Sequence, residues 1–571
     1  MIELISKISV HTKKLKKTFL DIKNLNEGVN STNEFFIKKE DNKIKWVVNR
    51  ICDHNFGKLI IKKNETDEAT CPLHQWKLNF KDLKYKNGIS KKKISFKNRG
   101  EKLEIFDLEQ TLKFNKVNSK YSKNKITQIR YLSHASVLIV DGKTKILTDP
   151  WFKGPAFCNG WWLRDEPKFD YENLIKDISY IYISHNHPDH LHIETLSKID
   201  KSIPIITPKF ATNSTKILLK RLGFKKIYDL DFNNIFKIKD SDINFTILKS
   251  GDFRDDSGIY FEIRNKKILL NVDCNNLNGG ILPENIDVLL SSFAGGASGF
   301  PLCFDDFSWD EKERILDRNR KAIFNMVVQL INKTKCKIFV PYAGFFSEKA
   351  TRDKFILNNN KKNNLDNFKK YSKQLYAKVK ILDTSKHDTI QLSSKVEFKK
   401  LNILKKQIKN DKKYIDSYIS LTKKKYLNLS SEYIEKYFKN SDFKANLILY
   451  LLPTNDDFKF NNHGYIIDFS KKNIKFKTLK ASKIFQLFHN VKKSINRHLF
   501  MKVREDSLNM VFANKLPWED LLIGFQCRIK RKPNIYNNDF WQYFTNNYID
   551  EVNFRYKNPC GSCEVLFQQV Y

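Results

Sequence analysis

The first part of the chain has the pattern of apolar and polar residues that is typical of short strands. Residues 34–61 and 70–110 alternate apolar with polar positions, as strands with one buried face do. Polar segments at 64–67 and 86–88 interrupt these runs and read as turns. The pattern therefore predicts a small all-β domain.

From residue 126 onward, apolar strands alternate with helical stretches. The predicted strands are 126–132, 137–140, 145–150, 179–184, 203–207, 243–248, 258–263, 267–273, 287–293 and 337–342, and the predicted helices are 192–200, 210–222 and 309–333. Asp141-Gly142 supplies a hairpin turn, because glycine adopts the positive φ that such a turn needs. Two β-rich halves interleaved with helices indicate a layered α/β sandwich.

Changes in this pattern divide the chain into three predicted domains. A stretch rich in Lys and Asn, 113–125, has weak periodicity and reads as a boundary. We therefore predict the small β domain over 1–120 and the α/β sandwich over 121–395. Residues 396–571 form an α+β region of unknown role.

Composition excludes a disordered chain and a disulfide-stapled secreted one. Of the 571 residues, 41% are hydrophobic, which is enough to form sizeable cores. There are nine cysteines, an odd and sparse set for a secreted scaffold. With no apolar run of membrane length and no signal-like start, we expect a cytoplasmic protein without a membrane span.

The net charge of +39 is spread along the chain rather than concentrated. Basic runs are short, as at 91–93 and 423–425, and the Lys, Asn and Ile content is what an AT-rich genome produces. The main interpretation is a solvated basic surface; an anionic substrate or an acidic redox partner is the alternative. Nucleic acid is an unlikely partner.

Two Cys/His pairs in the predicted β domain are candidate cluster ligands. Cys52 and His54 form a C-x-H pair, and Cys71 and His74 form a C-x₂-H pair. Two thiolates and two imidazoles are the ligand set of a Rieske-type [2Fe–2S] centre. A zinc site with the same four ligands is the alternative, although zinc sites usually open with C-x₂₋₄-C.

A second constellation, His185-Asn186-His187-Pro188-Asp189-His190, follows the predicted strand 179–184. Four ligand-grade side chains within six residues converge on one or two metal ions when they lie on a strand-to-helix turn. The motif resembles the signature of the metallo-β-lactamase fold. That resemblance implies that His185 and His187 face one metal position, and that Asp189 and His190 face the other.

The same resemblance assigns further residues around the metal. Asp149 matches the carboxylate that orients the ligand loop, and Asp273 matches the Asp that binds or bridges metal. The third histidine of the fold is missing from the segment 248–258, where Asp252, Asp255 or Asp256 is the candidate substitute. His387 is the candidate for the last ligand position, whereas His192 reads as a helix-cap neighbour.

Together, the two constellations favour a monooxygenase. His ligands plus a carboxylate with open positions suit ferrous iron and O₂, and the Rieske centre would deliver electrons one at a time. The metal is therefore expected to be iron, with zinc as the alternative. A metal-dependent hydrolase with a redox-sensing Rieske domain is the competing hypothesis, and a carrier or scaffold with a decayed metal site is the third.

Several blocks resemble the CMP-N-acetylneuraminate hydroxylase family, in which a Rieske domain is joined to a metallo-β-lactamase-like domain. The matching blocks are DPWFKGPAFCNGWWLRDEP (149–167), ISHNHPDHL (183–191), VDCNNLNGGILP (272–283), SSFAGGASGFP (291–301) and IFVPYAGFFSE (338–348).

This resemblance implies hydroxylation of the N-acetyl group of CMP-N-acetylneuraminate, or of a related anionic nucleotide sugar. It also implies NADH-derived electrons that arrive through a reductase and a small b-type cytochrome or ferredoxin.

Overall fold

A computed structural model describes most of the chain. The described residues are 1–53, 59–61, 66–71, 76–85, 88–114, 126–164, 166–167, 177–210, 212–251, 255–369, 378–393, 396–400, 404–405, 411–426, 429–492 and 494–546. The predicted ligands His54 and His74, together with Asp252, lie outside these residues.

The central part is a pair of sheets packed face to face, each with eight strands in the described chain. In order across the first sheet, the strands are Ile2–Lys7, Asn234–Ile238, Ile243–Lys249, Ser257–Ile263, Lys266–Val272, Val288–Ser291, Ile338–Pro341 and Lys380–Ile381. The second sheet runs Ile227–Leu230, Ile205–Pro208, Tyr180–Tyr182, Thr144–Thr148, Ser136–Asp141, Thr127–Ser133, Thr389–Leu392 and Val396–Lys399.

Apolar side chains from both sheets form one core between them, which includes Tyr182, Phe245 and Leu270. Helices cover the outer faces: Trp309–Thr334 on the first sheet, and Ile193–Ser197 and Ser214–Arg221 on the second. The layered α/β sandwich predicted from the sequence is therefore confirmed. Strands buried on both faces explain why their sequences are almost continuously apolar.

The helix Trp309–Thr334 has clear sequence signals at its start. The Ser308 side chain accepts a hydrogen bond from the backbone of Glu311, and the Glu311 side chain accepts one from the backbone of Ser308. This reciprocal capping satisfies amide groups that the first helical turn leaves without partners. Its length matches the prediction over 309–333 to within one residue at the C-terminal end.

The N-terminal region is β-rich, as predicted. Its strands are Ser9–Asp21, Gly28–Ser31, Phe35–Glu40, Lys43–Asn49, Glu68–Thr70, Lys77–Asn79, Ser95–Arg99 and Lys102–Lys113. The core around Phe36, Trp46, Cys52 and Cys71 also includes Ala322 of the long helix. The N-terminal region therefore packs against the helix that covers the first sheet.

The C-terminal region contains a five-stranded sheet within the described residues. Its strand order is Lys475–Lys480, His463–Asp468, Leu447–Thr454, Arg497–Arg504 and Cys527–Lys532. The helices of this region are Asp411–Lys425, Ser431–Lys439, Ala481–His489, Glu505–Asn514, Glu519–Ile523 and Asn538–Asn546. Its core is continuous with Trp151, Phe157 and Trp161 of the sandwich.

Short elements connect these layers. The remaining strands of the described chain are Pro155–Ala156, Trp161–Leu163, Glu166–Pro167, Phe346–Ser347 and Leu404–Lys405. The remaining α-helices are Lys354–Asn359 and Leu365–Lys369, and the 3₁₀ helices are Ile22–Asn24, Leu277–Gly280, Gly296–Cys303 and Thr351–Asp353.

Three strand pairings among the described residues cross the predicted domain ranges. Ile2–Lys7 pairs antiparallel with Asn234–Ile238, so the first strand of the chain is the edge of a sandwich sheet. Val396–Lys399 pairs with Thr389–Leu392 in the other sheet. Leu404–Lys405 pairs with Glu166–Pro167. The division at 120 and 395 stays a prediction, with these three pairings as contacts across it.

Candidate metal centre

The histidine motif lies at the end of a buried strand. Tyr180–Tyr182 runs parallel to Thr144–Thr148, so the segments that follow them meet at one edge of the sheet. His185 follows the first strand and Asp149 follows the second. Asp273 comes directly after Lys266–Val272 of the facing sheet. In α/β folds, such carboxyl edges are where functional groups gather.

Donor atoms of His185, Asp189 and His190 belong to groups of possible metal ligands, whereas His187, also predicted as a ligand, belongs to no such group in the described chain. His185 Nε2 and His187 Nδ1 face each other at 2.8 Å. His190 Nε2 lies 3.3 Å from Asp273 Oδ2 and 3.5 Å from Asp189 Oδ2. Within the described chain, His185, His190 and Asp273 form one group of side chains whose donor atoms are close enough to share a metal ion.

Two further carboxylates fix the orientation of the histidine rings. Asp149 Oδ2 lies 3.0 Å from His190 Nδ1, and the same carboxylate accepts hydrogen bonds from the backbone and the hydroxyl of Ser184. Asp256 Oδ1 lies 3.3 Å from His185 Nδ1. A carboxylate beside the ring nitrogen that does not face the metal orients a metal-binding imidazole and raises its basicity. Asp149 lies where the sequence placed a supporting carboxylate. Asp256 was instead expected to substitute for the missing third histidine, yet it lies beside His185 Nδ1 and belongs to neither group of possible metal ligands in the described chain.

His134 is part of the cluster, although the sequence analysis missed it. It lies in the turn between Thr127–Ser133 and Ser136–Asp141, with a φ of 37°. Its Nε2 is 3.0 Å from Asp189 Oδ2, and with Asp189 and His190 it forms a second group of possible metal ligands. A single histidine in a turn has no spacing that would mark it as a ligand.

The buried atoms of the cluster fit a cation. His190 Nε2, Asp189 Oδ1 and Asp273 Oδ1 make no hydrogen bond within the described residues, although buried polar atoms normally have a partner. Nitrogen and carboxylate donors without thiolate suit iron or zinc. The donor set therefore fits a metal ion of the predicted kind.

Charges in the cluster are tightly coupled. Burial lowers the pKa of His190, but neighbouring carboxylates, Asp189 above all, outweigh burial and raise this pKa well above its usual range. Burial likewise raises the pKa of Asp273, yet the His190 ring beside it lowers that pKa overall. The carboxylates thus favour positive charge at the centre of the cluster.

The other predicted residues lie around the cluster or away from it. His192 is the N-cap of Ile193–Ser197, as expected, because its ring accepts a hydrogen bond from the Thr195 backbone. Asp255 hydrogen-bonds to Thr212 instead of entering the cluster. His387 belongs to neither donor group in the described chain, and its ring lies 6.0 Å from that of Phe398.

The cluster has one accessible side. The side chains of His185 and His190 are at most 1% exposed, whereas that of His187 is 14% exposed and that of Asp273 is 29% exposed. The Phe157 ring packs 5.8 Å from the His187 ring on this side. A substrate would therefore approach from the direction of His187 and Asp273.

Glu519 is a second residue that the sequence analysis missed. Its Oε1 lies 3.2 Å from His187 Nε2, so the C-terminal region reaches the cluster directly. The two residues are separated by 332 positions, and no local pattern connects them.

The two predicted cysteine ligands lie together in the N-terminal core. Cys52 and Cys71 are fully buried, and neither forms a disulfide with another described cysteine. Asp53, beside Cys52, receives a hydrogen bond from the Tyr85 hydroxyl at 2.8 Å and an ion pair from Lys91 at 2.9 Å. These contacts hold Asp53, the residue beside Cys52, and the two buried cysteines agree with the thiolate half of the predicted ligand set.

Comparison with known proteins first identifies the class. Residues 128–270 match the family model described as the Beta-lactamase superfamily domain. This agrees with the two-sheet fold and with the histidine-rich edge, so the chain contains a metallo-β-lactamase-like domain. The predicted fold of the central region is confirmed.

Similarity over nearly the whole chain then points to a particular family. Cytidine monophosphate-N-acetylneuraminic acid hydroxylase of Pongo pygmaeus is 29% identical over 570 residues, covering 92% of this chain and 93% of that protein. The protein of the same name from Danio rerio is 27% identical over 568 residues and covers 92% of each chain. The predicted resemblance to these hydroxylases, rather than to a hydrolase, is confirmed.

A likeness to solved structures concerns the fold. CmlA, a diiron beta-hydroxylase from Streptomyces venezuelae, is 16% identical and matches 40% of this chain and 46% of that chain with a TM-score of 0.27.

No helix in the described residues is both long enough and apolar enough to span a membrane.

Proposed function

We propose that this protein is a Rieske-dependent monooxygenase that hydroxylates the N-acetyl group of CMP-N-acetylneuraminate or a related nucleotide sugar. The observation that carries the proposal is the buried His/Asp cluster, found in a chain similar over 92% of its length to hydroxylases of that substrate. A cytoplasmic location is part of the proposal.

Five residues would hold the metal of the sandwich domain: His185, His187, Asp189, His190 and Asp273. When bound there, iron supplies the activation of O₂ that an unactivated methyl C–H bond requires. Asp149 and Asp256 keep the rings of His190 and His185 in one orientation through their Nδ1 atoms. The protein contributes a buried, preorganised set of donors, so that little reorganisation accompanies metal binding.

A Rieske-type [2Fe–2S] cluster would be held by Cys52, His54, Cys71 and His74. Support comes from the complete burial of both cysteines in one core. Ala322, from the long helix of the sandwich domain, lies in the same core. Packing of the N-terminal region on this helix favours electron delivery from the cluster to the metal domain of the same chain.

Charge supports the expected partners. The chain has a net charge of +39, which complements a nucleotide sugar with phosphate and carboxylate groups and also an acidic electron carrier. NADH would be the source of electrons, through a reductase and a small b-type cytochrome or ferredoxin.

The decisive experiment follows the oxygen atom. Protein reconstituted with iron and sulfide is incubated with CMP-N-acetylneuraminate, NADH, a reductase and a one-electron carrier under ¹⁸O₂. We expect a product with one ¹⁸O atom on the acyl group, because a monooxygenase inserts one atom of O₂. Label from water only would contradict the proposal.

The hydrolase alternative predicts a different outcome of the same assay. A metal-dependent hydrolase would cleave the substrate without NADH and without O₂. Metal analysis after anaerobic purification also distinguishes the monooxygenase from the hydrolase. A monooxygenase should contain more iron than the [2Fe–2S] cluster alone accounts for, whereas a hydrolase should contain zinc at His185–His190.

A further inference from the structure

The short helix Glu519–Ile523 in the C-terminal region reaches the histidine motif. Glu519 Oε1 lies 3.2 Å from His187 Nε2, and the other ring nitrogen of His187 faces His185 Nε2 at 2.8 Å. The two nitrogens of His187 therefore have different neighbours. One faces the metal-ligand cluster, and the other faces a carboxylate from a distant part of the chain.

This arrangement completes a pattern shared by the three histidines of the motif. Asp256 lies on the distal nitrogen of His185, at 3.3 Å. Asp149 lies on the distal nitrogen of His190, at 3.0 Å. In His185 and His190, Nε2 faces the cluster and Nδ1 faces the carboxylate. In His187 the two nitrogens are exchanged: Nδ1 faces the cluster and Nε2 faces away from it. Glu519 occupies the corresponding place on that nitrogen.

An imidazole can bind a metal ion only through a nitrogen that carries no proton. A carboxylate on the opposite nitrogen keeps the proton there, fixes the tautomer and the ring angle, and raises the basicity of the metal-binding nitrogen. For His187, a proton on Nε2 donated to Glu519 leaves Nδ1 available for metal.

The structure holds Glu519 in place through the rest of its helix. The indole Nε1 of Trp161 donates a hydrogen bond to the carbonyl of Ile523 at 3.0 Å. Gly160 and Gly524 approach so closely that a Cβ on Gly160 would overlap the Gly524 carbonyl oxygen. The helix is thus packed against the segment that contains Trp161, and the Glu519 side chain is only 28% exposed.

We propose that Glu519 is a positioning residue of the metal centre, which orients His187 and sets its tautomer. The C-terminal region thereby gains a role: it supplies a carboxylate partner for His187 at the accessible side of the centre. The inference concerns metal binding and does not depend on the identity of the substrate.

The test measures metal affinity in the full-length protein without substrate. Glu519→Ala and Glu519→Gln are compared with the wild type by competition of Fe²⁺ or Co²⁺ with a chelator, and by the absorption spectrum of the Co²⁺-loaded site. Glu505→Gln is the matched control, because Glu505 also begins a C-terminal helix and accepts a hydrogen bond, at 2.8 Å, from Asn461 rather than from a cluster histidine.

We expect Glu519→Ala to weaken metal binding by roughly 10–100-fold, the usual effect of removing such a partner. Glu519→Gln should lose less, because its amide oxygen still accepts the hydrogen bond but carries no charge. The Co²⁺ spectrum should keep its coordination number and shift in energy. Glu505→Gln should match the wild type.

Three results would overturn the inference. Unchanged metal affinity in a folded Glu519→Ala variant would show that the contact between Glu519 and His187 has no role in metal binding. If Glu519→Ala does not fold, unchanged affinity in Glu519→Gln would have the same meaning. Loss of an oxygen ligand in the Co²⁺ spectrum would make Glu519 a ligand instead. Failure of the hydroxylation assay leaves all of these readouts intact, so the two proposals fail separately.

Discussion

The two candidate metal-binding regions of this molecule are built in different ways. The histidine cluster combines side chains from distant segments, including His134, His187, Asp273 and Glu519, which come from both sheets and from the C-terminal region. The cysteine region takes Cys52 and Cys71 from one small core. A centre assembled from distant segments can form only after those segments have folded together, whereas the cysteine pair lies in a core made of nearby segments, with Ala322 from the long helix beside them.

Their supporting contacts differ as well. Each histidine of the motif has a carboxylate partner, and that of His190, Asp149, is itself held by Ser184. Next to Cys52, support comes from Tyr85 and Lys91, both acting on Asp53. We therefore expect the loss of one contact to affect only one of the two sites, either metal binding at the histidine cluster or the iron–sulfur cluster of the cysteine region. The size of the effect should also differ between the two sites.

The largest effect is expected from Cys71→Ser. A serine oxygen replaces a thiolate that soft iron–sulfur clusters require, so the EPR signal of the reduced Rieske centre should disappear, and turnover with it. Iron at the histidine cluster should remain, because its ligands lie in a different domain. Metal and acid-labile sulfide analysis checks both parts, and loss of iron from both sites would mean that the regions are not independent.

Asp189→Ala is the reverse test and should also abolish turnover. Asp189 is buried between His134 and His190, so its removal eliminates one predicted ligand and the partner of two rings. The Rieske signal should persist at wild-type intensity. Full activity in a folded Asp189→Ala variant would show that the histidine motif is structural.

Much of the fold could be predicted because its signals are local. The strands of the sandwich are short apolar runs, and the helix Trp309–Thr334 begins with a capping sequence. The motif His185–His190 is equally local, since six consecutive residues carry four donors.

What the sequence could not reveal depends on contacts between distant residues. His134 is separated from Asp189 by 55 positions, and Glu519 from His187 by 332. Neither belongs to a periodic pattern. Ile2–Lys7 joins the sandwich sheet through Asn234–Ile238 for the same reason, since pairing between distant strands leaves no mark in either segment.

Asp149→Asn should have an intermediate effect. The amide keeps the size of the side chain but replaces the charged partner of His190 Nδ1, so metal affinity should fall by roughly 10–100-fold. Asp287→Asn is a suitable control, because Asp287 is also buried but accepts hydrogen bonds from the Lys267 backbone and from Lys337 Nζ rather than from a cluster histidine. Competition with a chelator measures the metal affinity of each variant. Equal metal affinities in Asp149→Asn and Asp287→Asn would show that Asp149 does not support metal binding.

The smallest effect is expected from Tyr85→Phe. This variant tests the contacts of Tyr85 and Lys91 with Asp53, beside Cys52. This change removes a hydroxyl that donates to Asp53 Oδ2 and accepts from the Asp53 backbone at 3.2 Å. Lys91 still pairs with the Asp53 carboxylate, so Asp53 keeps one of its two side-chain partners. Loss of a net hydrogen bond costs about 1 kcal/mol, which should lower the temperature at which the cluster bleaches by a few degrees. Visible absorption during a thermal ramp measures this, while metal affinity at the histidine cluster should not change. A complete loss of the cluster in Tyr85→Phe would mean that the cysteine region depends on a single contact, and that its support is less distributed than that of the histidine cluster.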